Sequence, residues 1–304
     1  MSALDYPFAE VPAPGATLEV APGVRWLSMP LPFQLDHINL WLLDDGPKEN
    51  PSWLIIDTGL GNEPTRALWA GIFADKIGVR PVKRVLVTHY HPDHAGNAAW
   101  LCGRANAELW MTRGDLYRRL VPDFPMSHRR LHEGERITVG GCSWRVIVGH
   151  GHAPEHVSLH CETLNLLISG DMLLPRITTN VAVRPIDPWS NPLRLFLDSI
   201  RRYRELPEDI LVLPSHGLPF RGAHARIAQL EAHHAQRLAE LQAACTASPR
   251  TAAEALEILF RRKLDTDQIF FAMGEAIAHL HYLHYDGRLA RTVGADGVAR
   301  FAPE

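Results

Sequence analysis

Four times along this chain a short apolar run ends in a turn that carries histidine or aspartate. The runs are Arg84–Val87, Arg145–Val148, Leu164–Ile168 and Ile210–Leu213. Runs of this length bounded by Gly- or Pro-containing turns read as buried strands. A chain leaving a buried strand into a tight loop can aim several side chains at one point. The first run leads into Thr88-His89-Tyr90-His91-Pro92-Asp93-His94-Ala95-Gly96, with four ligand-type side chains in six residues. The second leads into Gly149-His150-Gly151-His152-Ala153-Pro154-Glu155-His156, the third into Ser169-Gly170-Asp171, the fourth into Pro214-Ser215-His216-Gly217. Imidazoles and carboxylates suit zinc and neighbouring divalent metals. A lone H-x-H is better read as a surface loop or as core histidines. H-x-H-x-D-H directly after a strand, repeated in kind at three further turns, argues against that reading. His89, His91, Asp93, His94, His152, Asp171 and His216 are ligands enough for two metals.

The remaining pattern predicts an α/β architecture. Further strands are expected at Val24–Ser28, Ile38–Leu43, Trp53–Ile56 and Leu109–Met111, and helices at Glu63–Ile77, Ala95–Leu101, Gly114–Leu120 and Pro192–Leu206. The last has Asn191 as N-cap and Pro192 in the first helical position. From His224 the character changes. Arg226–Cys245 reads as a long amphipathic helix, Thr251-Ala252-Ala253-Glu254 as a capping box opening a helix to about Arg262, and Asp267–Tyr285 as a third helix. Leu289–Val293 and Val298–Phe301 then flank Gly294-Ala295-Asp296-Gly297, a hairpin signal. Helices followed by a hairpin is winged-helix order. Two domains are expected, 1–222 and 223–304.

Composition narrows the class. The formal charge is −3 over 304 residues, and from Ala223 to Glu304 nine Lys+Arg face ten Asp+Glu, a net of −1. Nucleic-acid modules carry a basic surplus, and here Arg261-Arg262-Lys263 is the single basic cluster, so nucleic acid is not expected as a partner. No apolar stretch approaches the roughly 20 residues that span a bilayer. The first thirty residues hold no apolar signal-peptide core. Cys102, Cys142, Cys161 and Cys245 stand singly, with no C-x-x-C pair. A cytoplasmic protein without membrane attachment is expected.

From the Asp57-Thr58-Gly59 turn through His216, these motifs resemble the metallo-β-lactamase fold superfamily. Residues His224 to Glu304, on element order and the Leu280–Arg291 stretch, resemble the winged-helix appendage of its lactamase-beta-like branch. The resemblance implies an αββα sandwich with the metal site at the sheet edges. It assigns His89, His91 and His152 to one metal and Asp93, His94 and His216 to the other, with Asp171 bridging. Asp57 matches a position that supports the site from behind the ligands; a turn-forming Asp before Thr-Gly is the competing reading. The common metallo-β-lactamases carry Cys where Asp171 stands, which argues against penicillin hydrolysis. Flavodiiron proteins carry Glu at the position of His91. The 44 residues between Asp171 and His216 leave no room for a β-CASP domain. The basic glutathione-binding tail of glyoxalase II is not found.

A hydrolase is therefore expected, with two divalent ions, most readily Zn and otherwise Mn or Fe, activating water against a small-molecule ester or thioester. Asp93 would orient that water and take its proton. Two other activities share the motif: an endoribonuclease or phosphodiesterase of the lactamase-beta-like type, and a mononuclear iron sulfur dioxygenase. Arg176 is a candidate grip for an anionic substrate group, with a surface ion pair as the competing reading. Phe33, Tyr90 and Trp189 are candidate pocket walls, although aromatics are more often core. His150 and His156 flank a ligand closely enough to support it, with solvent-facing loop residues as the competing and slightly favoured reading. The appendage reads as a lid or a homo-oligomerisation module.

Overall fold

The computed structural model describes residues 4–32, 35–78, 80–112, 127–260 and 262–304. The expected helix Gly114–Leu120, the candidate Phe33 and Arg261 lie outside the described residues. The chain divides into two compact units. One comprises Met1–Gly149, Glu155–Ile177 and Glu205–Ala223; the other comprises His150–Pro154, Thr178–Arg204 and His224–Glu304.

The first unit is built on two sheets. Strands β1 (Thr17–Ala21), β2 (Val24–Pro30), β3 (His37–Asp45), β4 (Ser52–Ile56), β5 (Val82–Leu86), β6 (Glu108–Met111) and β7 (Arg129–Arg130) lie side by side in chain order. The first four pair antiparallel, and the pairs from β4 to β7 are parallel. The second sheet runs β12 (Leu211–Pro214), β11 (Leu166–Gly170), β10 (His156–Cys161), β9 (Cys142–Gly149), β8 (Arg136–Val139), with only β11 and β12 parallel. One core joins the two sheets: Trp26, Trp41, Leu54, Ile56 and Trp110 from the first meet Trp144, Val146, Val157, Leu166 and Leu213 from the second. Alternate residues of the first sheet, Leu40, Leu42, Ile55 and Val85, are equally buried. Their face carries helices α1 (Glu63–Ile72) and α3 (Ala98–Ala105), which bring Trp69, Ile72 and Leu101. A sheet covered on both faces shows continuous apolar runs rather than alternation, which is why these strands stood out in the sequence. The short helix α2 (Pro92–Ala95) follows β5.

The expected helix Glu63–Ile77 is α-helical to Ile72 and continues as a π turn over Phe73–Ile77. The expected Ala95–Leu101 divides into α2 and α3 at Gly96-Asn97. The mixed α/β class is as the sequence predicts.

The second unit holds α4 (Pro192–Arg201), most of α5 (Ala223–Ala247), α6 (Ala252–Leu259), α7 (Thr266–Tyr285) and the hairpin β13 (Ala290–Val293)–β14 (Ala299–Ala302). Asn191 caps α4 by accepting from the Arg194 N–H, and Thr251 and Glu254 close the capping box of α6. The backbones of Arg250 and Phe301 exchange hydrogen bonds of 3.0 and 2.8 Å, fixing the hairpin to the turn between α5 and α6. Among the described residues no helix is long and apolar enough to cross a membrane.

Candidate metal centre

The parallel strands decide where the chemistry sits. Strands β4, β5, β11 and β12 end at Asp57, at the His89–His94 loop, at Asp171 and at His216 respectively. Backbone bonds stitch these ends together. Val157 N–H donates to Thr88 O at 2.8 Å, Asn39 N–H to Ser215 O at 2.6 Å, and Ser215 N–H to Gly170 O at 3.2 Å. Loops pinned in this way hold side chains with the precision that a ligand set requires.

Seven side chains fall into two groups. His89, His91, His152 and Asp171 each offer a ligand atom, all within 4.8 Å of one another, and Asp93, His94 and His216 do the same. Asp171 faces both groups with different oxygens: Oδ2 is 3.9 Å from His89 Nε2, and Oδ1 is 3.5 Å from His94 Nε2 and 3.4 Å from His216 Nε2. Asp93 Oδ2 stands 3.5 Å from His94 Nε2 and 3.6 Å from His216 Nε2. These separations are too long for good hydrogen bonds. They match two ligands sharing one ion, which at bond lengths near 2.1 Å and tetrahedral angles stand about 3.4 Å apart.

The ring nitrogens are oriented for that use. His216 Nδ1 lies 2.8 Å from His37 O, and His152 Nδ1 lies 2.7 Å from Asn180 O. A carbonyl only accepts, so each Nδ1 donates its proton there and each ring is left with Nε2 turned toward its donor group. His94 Nδ1 donates to Asp57 Oδ2 at 2.8 Å. Its Nε2 is buried with no hydrogen-bond partner. Burial pulls the His94 pKa down, but the carboxylates of Asp93, Asp171 and Asp57 more than offset that and leave it raised well above the ordinary value. A buried, unpartnered nitrogen among three carboxylates marks a place that favours positive charge, and a divalent cation can supply it in place of a proton.

Asp57 is buried, with φ of 60°. Its Oδ1 accepts from the Thr88 N–H at 2.8 Å, and the Thr88 hydroxyl lies 2.8 Å from its Oδ2. It therefore braces His94 and the motif loop together. His156 stands on β10, fully buried, and its Nε2 accepts from the Asp171 N–H at 3.0 Å. Gly170, at φ +53°, lies so close to that ring that any Cβ would strike it. His150 closes its own loop: Nδ1 lies 2.6 Å from Pro154 O, and its N–H donates to Ser199 Oγ at 2.9 Å.

Of the substrate candidates, Tyr90 is buried, its ring edge-on to His91 at 4.7 Å. Arg176 is exposed, its guanidinium 5.8 Å from the Tyr6 ring. Trp189 is exposed in the second unit, with the Arg291 guanidinium 4.7 Å above it. Sequence reasoning missed Thr88, His37 and Asn39. Asn39 Nδ2 donates to Pro214 O and Gly217 O at 2.8 and 2.7 Å, clamping the His216 turn. His37 and Asn39 act on a turn 178 or more residues away, which no local pattern marks, and Thr88 ties Asp57, 31 residues back, to the histidines beside it.

Two family models match this chain. One, described as metallo-beta-lactamase superfamily, covers residues 35–216; the other, metallo-beta-lactamase-like C-terminal domain, covers 238–304. The crystal structure of a beta-lactamase domain protein from Burkholderia ambifaria superposes with a TM-score of 0.95 at 51% identity, over 99% of this chain and 97% of that one. A Bacillus subtilis protein named probable metallo-hydrolase YqjP is 23% identical over 84% of this chain and 91% of its own. The Gallus gallus acyl-coenzyme A thioesterase MBLAC2 is 28% identical over 71% of this chain and 82% of its own.

Proposed function

This chain belongs to the metallo-beta-lactamase superfamily, and from that premise we propose that it is a binuclear metal-dependent hydrolase acting on a small-molecule thioester or ester. The carrying observation is Asp171, whose two oxygens face two separate donor groups. A structural ion needs one closed set of four ligands; two sets joined by one carboxylate support a pair of ions, and weigh against a mononuclear dioxygenase.

In this reading His89, His91 and His152 would hold one cation, His94, His216 and Asp93 would hold the other, and Asp171 would serve both. A pair of divalent cations, zinc fitting the imidazole-rich set best, supplies Lewis acidity and lowers the pKa of water toward neutrality. The protein's own groups do the rest. Asp93 is the solvent-facing member of its group, its side chain 19% exposed against 0% for His94 and 4% for His216. It orients the attacking water, takes its proton, and can return that proton to the departing thiolate or alkoxide. Asp57 and Thr88 keep the His94 lone pair aimed, and His37 and Asn39 do the same for His216. Hydrolysis then breaks the acyl carbon–sulfur or carbon–oxygen bond without an enzyme nucleophile.

Two observations bear on substrate. A relative is named an acyl-coenzyme A thioesterase. Arg176 follows Pro175, which packs so closely on Gly217 that a Cβ there would stand 2.9 Å from its Cγ. Arg176 is thus beside the His216 turn, exposed and, among the described residues, without a carboxylate partner. It is suited to hold an anionic group on the substrate. The test is metal analysis of the purified protein, then parallel assays on acyl thioesters, lactones and short RNA before and after chelation. Thioester cleavage lost with the metal and restored with it is expected. Hydrolysis that survives a verified metal-free state, or RNA cleavage with silent thioesters, overturns the reading.

A further inference from the structure

The His152 ring is turned by a hydrogen bond from Nδ1 to Asn180 O at 2.7 Å. Asn180 lies in residues 178–183, which form no helix or strand. Such a segment cannot hold a carbonyl in place by its own ladder, so the support comes from elsewhere. It comes from the middle of α7. Val183 N–H donates to Gly274 O at 2.9 Å, and the Asn180 side-chain amide donates to Glu275 Oε2 at 3.4 Å. Gly274 permits this approach: a Cβ there would stand 2.8 Å from Ala182 Cβ and 2.9 Å from Val183 O. Glycine weakens a helix interior, so its presence in a 20-residue helix marks a position where close contact outweighs that loss. Glu275 is half-buried, and burial pushes its pKa up to about 7 against the pull of the Asn180 bond. His152, Asn180, Gly274 and Glu275 all belong to the second unit.

We propose that Gly274 and Glu275 of α7 are positioning residues for His152, acting through residues 180–183. The inference rests on the reading of His152 as a metal ligand. The C-terminal unit is then neither only a lid nor only an oligomerisation surface. It carries the scaffold that sets the rotation and tautomer of one imidazole. The specificity of the effect follows from the wiring. His216 and His94 are braced by His37 and Asp57, so a disturbance in α7 reaches one ion and spares the other.

The experiment uses the full chain loaded with Co(II) or Zn(II), with both affinities measured by chelator competition and the Co(II) absorption spectrum recorded. The variants are Glu275→Ala, Glu275→Gln and Gly274→Ala, each with thermal unfolding of its metal-free form as a folding control. Outer hydrogen-bond partners of metal-binding histidines typically tune affinity 10–100-fold. Glu275→Ala is expected to weaken one ion about tenfold, with a changed ligand-field spectrum, and to leave the other at its wild-type value. Glu275→Gln, which keeps an acceptor for Asn180, restores most of the loss. Gly274→Ala, which must displace residues 182–183, weakens the same ion at least as much. Two wild-type affinities in Glu275→Ala overturn the proposal, as does equal loss of both ions, which would mark a general structural role. A wild-type chain that takes up no divalent ion fails at the earlier step and sinks the hydrolase reading with it.

Discussion

The molecule buries histidine in two kinds of company. In the first unit His94 sits among Asp57, Asp93 and Asp171, which lift its pKa well above the ordinary value in spite of burial. In the second unit His234 and His279 face each other at 3.2 Å, and both pKa values fall, to about 3 and about 4. Burial leads both decreases; His279 and His233 add to it for His234, and His233 and Arg237 for His279, against a raising bond from His279 to Glu275 O. The residue type and the depth are alike, and the surroundings have opposite sign. Imidazoles among carboxylates form a place for a cation, whereas imidazoles facing imidazoles and arginine form a neutral polar interior. A count of seventeen histidines therefore says little until each is given its neighbours.

The largest test of that contrast removes the shared carboxylate. Asp171→Ala takes an oxygen from each donor group, and both ions should be lost or greatly weakened. Activity should fall at least about 10²–10³-fold, the scale on which removal of one electrostatic stabiliser is felt, with metal content measured alongside. Normal metal content and activity in this variant would end the binuclear reading. A smaller effect is expected at Asp57, which touches His94 without joining either donor group. Asp57→Asn keeps the shape and removes the charge, so affinity for the ion held by His94 should drop about 10–100-fold, read by chelator competition. His279→Gln, by contrast, should leave the affinity for the ion held by His94 and His216 unchanged, because that carboxylate-lined donor set is not disturbed.

These residues also show what a sequence discloses. Strands β3, β4 and β12 were legible because they are buried along almost their whole length and so read as nearly unbroken apolar runs. Strand β1 escaped notice because it is an edge strand with no fully buried residue. Strand β10, His-Val-Ser-Leu-His-Cys, escaped because His156 and Ser158 fill buried positions that a pattern of apolar residues does not announce. The donor side chains were legible because each follows directly on a strand. Their braces were not: Asn39 reaches across 178 residues to Gly217, and Glu275 across 95 to Asn180. A bond from a side chain to a distant backbone leaves no period and no spacing to read. The boundary drawn at 222/223 treats the chain as two consecutive blocks, whereas residues 178–204 cluster with the C-terminal helices.

The smallest expected effect sharpens the contrast from the side of the second unit. His234 and His279 have folded pKa values below the unfolded value of 6.5. Their neutral burial thus costs nothing above pH 6.5. It opposes folding increasingly as pH falls from 6.5 toward 4 and 3, where only the unfolded chain takes up the protons. At pH 5 this amounts to about 2 kcal/mol for each ring. Glu275 works in the other direction. Its folded pKa of about 7 lies above the ordinary carboxylate value of 4.5, so between those limits the folded state holds a proton that the unfolded one has released, and stability rises as pH falls. The opposed slopes leave the wild type with a shallow net loss, on the order of 1 kcal/mol between pH 7 and 5. Urea unfolding across that range should show Glu275→Gln losing stability more steeply toward pH 5, because its counterweight is gone. His279→Gln should flatten the profile or reverse its sign. If all three proteins give parallel profiles, the two kinds of buried histidine do not differ electrostatically as described, and the contrast between cation site and neutral interior loses its basis.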